Sequence, residues 1–451
     1  MSGPKAFRIV TRAEIIAICR RDLARLDAAV DSWALSGTRN GTIGQNDIEK
    51  VAARREELRR LLAADRFVEL QKQVATEIAF LQADSERRIQ KATEAAARAN
   101  RDLRRSKFAA DALLQRLQAL SIQIPADVRA ELQGSTTSSE RLEAAMAKAL
   151  LLFPSPEAHG SATDGQRELA AKLGAGERRD TLQEWISRQP PQAEDSCLAQ
   201  VDTFLGELRG LGIDPGVFAA RVAALEAEPP SRRPLVADSV LLDLANAVKE
   251  GRAQLQLCNE LRAKFAELSE MKSPEASSLS AEISVALQSI LTTNTQELIR
   301  RADQLIEDEL KAMAAAERRR AVLEGLASLG YEVSEGMATA WVDRGQIVLR
   351  KAAAPGFGVE LSGGSKSTLL QVRAVGIGGA AEVRDVSRDR DMETIWCGEF
   401  DRLKMLIAKA GGNLAIESAR PVGQFPLKIV SDPVANEEIE VVEKPHRSLP
   451  S

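Results

Sequence analysis

The sequence predicts a mainly α, elongated protein with coiled-coil segments and a C-terminal α+β domain with an antiparallel sheet. Three observations carry this. Arg66 to Leu120 holds neither Pro nor Gly and reads as one helix of about 80 Å at 1.5 Å per residue. Aromatics make up only 4% of the 451 residues, low for one large core and ordinary for seams of Leu, Ile and Ala. At Leu329 the apolar period changes from 3.6 to 2, as it does where helices give way to strands.

Taken in order, the first helix opens at Thr11-Arg12-Ala13-Glu14, a capping box in which Thr11 and Glu14 can satisfy each other's backbone donors. Ile16, Cys19, Leu23, Leu26, Val30 and Trp33 follow at heptad spacing. Gly37, Gly41 and Gly44 mark a turn within Ser36 to Gln45. A second helix from Asn46 leads into the long one, whose stripe runs Phe67, Leu70, Val74, Ile78, Leu81, Ile89, Ala92, Ala96, Ala99, Leu103, Ala110, Leu113, Leu117 and Leu120. Spacings of three and four suit a helical partner. An intramolecular hairpin and a dimeric coiled coil both fit, so residues 1–124 are expected to form a helical hairpin and rod. The alanine section, Gln82 to Lys107, should be thin, since an alanine contact buries about a third of the area of a leucine one.

Residues 125–234 read as short helices with linkers at Gly134 to Ser139 and Pro154 to Gly165. Residues 235–328 form a second long-helix pair, Leu235 to Glu270 and Thr295 to Ser328, with a shorter helix, Leu279 to Leu291, between them. A phrase recurs at three helix ends: Leu117, Leu120, Ser121, Ile122; Leu208, Leu211, Gly212, Ile213; and Leu326, Leu329, Gly330, Tyr331. Each puts a small residue and then an apolar one after leucines a turn apart, as Schellman ends prefer.

Residues 329–431 are expected to be the α+β domain. Its strands are Thr339 to Asp343, Gln346 to Ala352, Phe357 to Leu361 and Thr368 to Val375, joined by turn sequences. A helix, Met392 to Ala410, presents Trp396, Phe400, Leu403 and Ile407. Short strands follow at Asn413 to Glu417 and Leu427 to Val430, and residues 432–451 read as an acidic, disordered tail. A Leu-x-x-Leu-x-x-Leu-Gly helix leading into a meander and a second helix resembles small α+β chaperone-like domains, a likeness of fold that carries no function. The sequence predicts that fragment 318–431 folds alone and holds a partner.

Several chemistries lack their residues. Sixty-one basic residues face sixty-five acidic ones, and a net charge of −4 names no polyanionic partner. The four cysteines (Cys19, Cys197, Cys258, Cys397) stand far apart, as reduced and mostly buried thiols do in a cytoplasmic protein. No apolar run is long enough for a membrane span. His159 and His446 have neither zinc spacing nor a neighbouring nucleophile. Gly363-Gly364-Ser365-Lys366-Ser367-Thr368 departs from the phosphate loop, which needs Gly before the Lys and another five residues earlier. Gly376-Ile377-Gly378-Gly379-Ala380-Ala381 matches G-x-G-x-x-A, but Glu382 to Asp391 lacks the helical periodicity that this fingerprint requires. Cys397, beside an apolar stripe and without a neighbouring His, reads as packing. No catalytic, cofactor-binding or metal residue is assigned.

The expectation is therefore a non-catalytic cytoplasmic scaffold or adaptor that forms homo-oligomers through its helices and holds a protein partner on its C-terminal domain. The candidate partner surface is Trp341, Gln346, Val348 and Arg350, with edges at Gln346 to Ala352 and after Asn413 that can accept an added strand. The alternative is a nucleic-acid-associated factor using the basic section 82–107. Its candidate contacts are Arg87, Arg88, Lys91, Arg98, Arg101, Arg104, Arg105 and Lys107, against the acidic Asp84, Glu86, Glu94 and Asp102. A third reading is an enzyme with its site in the C-terminal domain.

Overall fold

Residues 5–10, Lys-Ala-Phe-Arg-Ile-Val, alternate about an extended backbone and form a strand that the sequence reading passes over. The computed structural model describes residues 5–133, 139–152, 196–229, 231–288, 294–364, 367–378, 385–424 and 426–430. The Pro154 to Gly165 linker, His159, His446, Ser365, Lys366, Gly379, Ala380, Ala381, the end of the helix expected to reach Leu291, and the tail 432–451 lie outside these residues.

The chain is mostly helical. β1 (Lys5–Val10) is followed by α1 (Arg12–Arg39), α2 (Gln45–Ala63), α3 (Phe67–Ala119), α4 (Ala126–Gln133) and α5 (Ser139–Leu150). Then come α6 (Ser196–Leu211), a 3-10 turn (Pro215–Phe218), α7 (Ala219–Ala227), α8 (Arg233–Ser269), α9 (Pro274–Gln288) and α10 (Thr295–Ser328). The sheet region holds α11 (Met337–Arg344), β2 (Gln346–Arg350), β3 (Phe357–Ser362), β4 (Leu369–Ile377), α12 (Val386–Lys409), β5 (Asn413–Ala419) and β6 (Lys428–Val430). The Pro- and Gly-free stretch is thus one helix of 53 residues.

The helix ends follow the expected stop chemistry. Ser121, Gly212 and Gly330 are left-handed, with φ of 53°, 82° and 88°. In each case the next residue donates back five positions: Ile122 N to Leu117 O, Ile213 N to Leu208 O and Tyr331 N to Leu326 O, at 3.1, 2.8 and 3.1 Å. At the start of α1, Glu14 N donates to Thr11 Oγ1 at 3.2 Å. The Glu14 carboxylate turns instead to Arg318, whose Nε lies 3.2 Å away, so only half of the capping box forms.

The chain divides into two compact units, and the division falls within α1, α2, α3 and α8. One unit comprises residues 1–27, 55–76 and 261–451. Its sheet runs β2-β3-β4-β1-β5, with β6 also on β4. β4 and β5 both run antiparallel to β1, which therefore separates two mutually parallel strands. β6 pairs parallel with Val375 to Ile377, beyond the stretch of β4 that β1 takes. Alternation puts Phe7, Ile9, Ile347, Leu349, Val359, Leu361, Leu370 and Val372 on one face. There they meet Val322, Leu323 and Leu326 of α10, Trp341 of α11, and Trp396, Phe400, Leu403 and Ile407 of α12 in one core.

Two sequence expectations are corrected here. Thr339 to Asp343 is not a strand but part of α11, bounded by Gly336 and Gly345 in the left-handed region, φ 89° and 69°. The two glycines close a two-turn helix whose Trp341 is fully buried, and this packing overrides the strand preference of Thr, Trp and Val. The last helix also starts earlier, at Val386, because the Asp385 side chain accepts from Ser387 N at 2.9 Å and caps it.

The second unit comprises residues 28–54 and 77–260. The end of α3 packs with α4 and α5 through Leu113, Leu117, Val128, Leu132, Leu142 and Met146, while Leu120 is exposed. α6, α7 and the first half of α8 share another core, including Val201, Leu208, Leu225, Leu244 and Val248. The alanine section of α3 serves close approach. A Cβ on Gly206 of α6 would stand 2.8 Å from Thr93 O, and one on Gly210 3.1 Å from Ile89 Cγ2. Small residues on both helices thus bring α6 and α3 into backbone contact.

Candidate protein-binding edge

β2 has the composition of a half-buried strand. Ile347 and Leu349 point into the core, Gln346 is exposed, and Val348 and Arg350 are half-buried on the other face. It pairs with β3 over five residues without a shift, Gln346 opposite Ser362 through Arg350 opposite Gly358. Gly363 N donates to Gly345 O at 3.0 Å, which sets the phase of the antiparallel ladder. Residues 345, 347 and 349 bond toward β3, while the N–H and C=O of Gln346, Val348 and Arg350 point outward. The same phase is visible from outside, where Glu332 N donates to Arg350 O at 2.9 Å. Among the described residues, no backbone group outside the ladder meets Gln346 or Val348.

The end of β2 is held by charge. Lys351 bonds to Glu399 of α12, and the Tyr331 hydroxyl donates to the same carboxylate at 2.5 Å. Burial, and then the Glu399 carboxylate, raise the Tyr331 phenol above its ordinary value, so it stays protonated as a donor. On the outer face, Val348 lies opposite Glu360, and Glu360 opposite Arg373. Glu360 is buried, with Arg373 Nε at 2.6 Å and Lys428 Nζ at 2.8 Å. Burial pushes its carboxyl up, but these two hydrogen bonds outweigh that and hold it below the usual carboxylate value.

The other edge is β5, as the sequence placed it. Its pairing with β1 shifts register between Ala6 and Phe7, and such a bulge bends an edge away from further pairing. Of the four candidate surface residues, Gln346, Val348 and Arg350 share the β2 edge. Trp341 does not join them, because α11 buries it in the core.

The basic section of α3 splits by face. Arg88 is committed internally: Nε lies 2.6 Å from Asp84, an Nη 3.2 Å from Asp47, and its guanidinium over the Trp33 ring. Trp33 Nε1 also donates to Asp84 at 2.9 Å. Arg104 pairs with the buried Asp202 of α6 and with Glu226 at 3.0 Å. Arg87 pairs with Asp84 at 3.2 Å and stays mostly exposed. Lys91, Arg98, Arg101, Arg105 and Lys107 are exposed.

A cleft of about 540 Å³ lies between α1, α8 and α10, with Ile18, Ile306, Leu310 and Met313 as its floor. Its charges answer one another. Lys264 sits 3.4 Å from the buried Glu267 and 2.7 Å from Asp303, and Arg21 lies 3.8 Å from Glu267. No group of three His, Cys, Asp or Glu side chains suited to a metal occurs among the described residues. Nor is any of their helices long and apolar enough to cross a membrane. Cys19 is buried, and burial together with Asp22 pushes its thiol up to about 11. Cys197, Cys258 and Cys397 are only half-buried, so the thiols are less enclosed than expected.

Of Gly376 to Gly378, the described half of the dinucleotide-like pattern, Gly376 and Ile377 are strand backbone and Gly378 follows the strand's end. The strand pairs with β6, and Gly378 N donates to Val430 O at 3.3 Å. Comparison of the chain with protein-family models, curated proteins and solved structures gives no match.

Proposed function

We propose that the protein is a non-catalytic cytoplasmic scaffold or adaptor that holds a protein partner by adding one of the partner's strands to β2. The observation that supports this is the outward row of Gln346 and Val348 on an unbulged edge strand. Main-chain hydrogen bonds would supply affinity, and the side chains flanking the added strand would supply selectivity. The proposal includes homo-oligomers assembled by pairing of the long helices between copies, with an elongated coiled-coil assembly as the result.

The test is a photo-crosslinking residue placed at Gln346 in the full chain, in its native host. A discrete adduct with one protein, absent when the probe stands at Ala415 of β5, is expected. The same adduct from Ala415 and none from Gln346 would move the site to the other edge. For the oligomer, light scattering should give a multiple of the 48.8 kDa chain mass. A single-chain mass at all concentrations would remove that part of the proposal.

A further inference from the structure

We infer that the solvent face of α3 between Arg87 and Arg105 is a docking surface for the phosphate backbone of duplex DNA. At 100° per residue, the positions turned toward α6 in this section (Ile89, Thr93, Ala96 and Arg104) lie on one side of the helix. Arg87, Lys91, Arg98, Arg101 and Arg105 fall within an arc of about 80°, centred about 140° round the helix from that side. Lys91, Arg98 and Arg105 recur at heptad spacing, about 10.5 Å apart. All three are exposed and lack an ion-pair partner among the described residues. Arg88 and Arg104, which face inward, carry the internal ion pairs. Between Arg87 and Arg105 the acidic residues are Glu94, within the arc, and Asp102, beside it.

The result is a straight line of positive charge about 27 Å long, and its natural complement is a linear polyanion. A duplex presents one phosphate per about 1.7 Å of axis and gains affinity by releasing condensed counterions. The arc carries no aromatic side chain between Arg87 and Arg105. It therefore lacks the stacking platform by which single strands are held, which favours duplex backbone over single-stranded nucleic acid. A second copy laid along the same arc would set like charges opposite one another. With only backbone contacts, binding should be indifferent to sequence.

The experiment is a fluorescence-anisotropy titration of the full chain with a labelled mixed-sequence DNA duplex across a salt series. A triple variant (Lys91→Gln, Arg98→Gln, Arg105→Gln) is compared with a charge-matched control (Arg20→Gln, Arg60→Gln, Lys72→Gln), whose sites are also exposed. The parent should bind at low salt with a steep slope. The triple variant should bind at least tenfold more weakly and lose about 0.9 from the slope per contact removed. The control should track the parent. Absence of binding by the parent at low salt would overturn the inference, as would equal losses in variant and control. Sedimentation with phosphatidylserine-containing vesicles is run beside it, and vesicle binding without duplex binding would assign the arc to an anionic membrane and overturn the inference.

Discussion

Phe7, in the first strand, packs edge-on against Phe400 of α12, with ring centroids 5.5 Å apart and planes at 70°. The two residues come from opposite ends of the chain and sit in one core. Lys5 lies over the same Phe400 ring at 4.3 Å. β1 is a central strand, so the sheet of the C-terminal domain is incomplete without Lys5–Val10. The expectation that fragment 318–431 folds alone is corrected on this point: its sheet would lack the strand that joins β4 to β5. That fragment should be poorly folded by circular dichroism and gain structure when a peptide of residues 1–11 is added. In the full chain, Phe7→Ala should cost about 3–5 kcal/mol by chemical denaturation. A cooperative, stable fragment without the peptide would contradict this role for β1.

Two glycines in helix interiors should respond to alanine with opposite signs. At Gly206 a Cβ would stand 2.8 Å from the backbone oxygen of Thr93. Overpacking of this kind costs about 1–3 kcal/mol, more than the gain of about 1 kcal/mol in helix propensity. At Gly398, in α12, a Cβ would meet nothing within 4 Å, so Gly398→Ala should stabilise by about 1 kcal/mol. A Gly206→Ala variant that melts at or above the parent would show that the α3–α6 contact is looser than this distance requires.

Glu360 makes stability depend on acid. Its folded carboxyl is held below the ordinary value of 4.5 by Arg373 and Lys428. Its contribution is therefore present above that value and is lost as pH falls through the folded one. Glu360→Gln should destabilise the protein at neutral pH, with the gap to the parent closing below about pH 4.5. A gap that does not change with pH would mean that the pair acts through packing alone.

Much of this architecture is legible in the residues, and the exceptions have physical reasons. α10 spans Thr295 to Ser328, the stretch that its seam marks, and the three Schellman ends sit where the repeated phrase puts them. Long periodic helices announce themselves because each turn repeats the signal. β1 is short, so its alternation of Phe7 and Ile9 is drowned by the heptads that follow. Its partners, β4 and β5, lie more than 350 residues away, and no local pattern reports such a pairing. α11 misleads by composition, although Gly336 and Gly345 flank it as turn glycines would. The β2 edge was readable as an edge. Which residues turn their backbones outward needed the phase set by the Gly363–Gly345 hydrogen bond.

The proposed function rests on the outward N–H of Val348, and proline at that position tests it most directly. Proline removes the donor and is tolerated on an edge strand whose N–H faces solvent. Val348→Pro should therefore keep the parent's circular dichroism and melt within a few degrees, yet lose the protein captured through Gln346. A variant that folds and still holds that partner with parental affinity would contradict strand addition at β2.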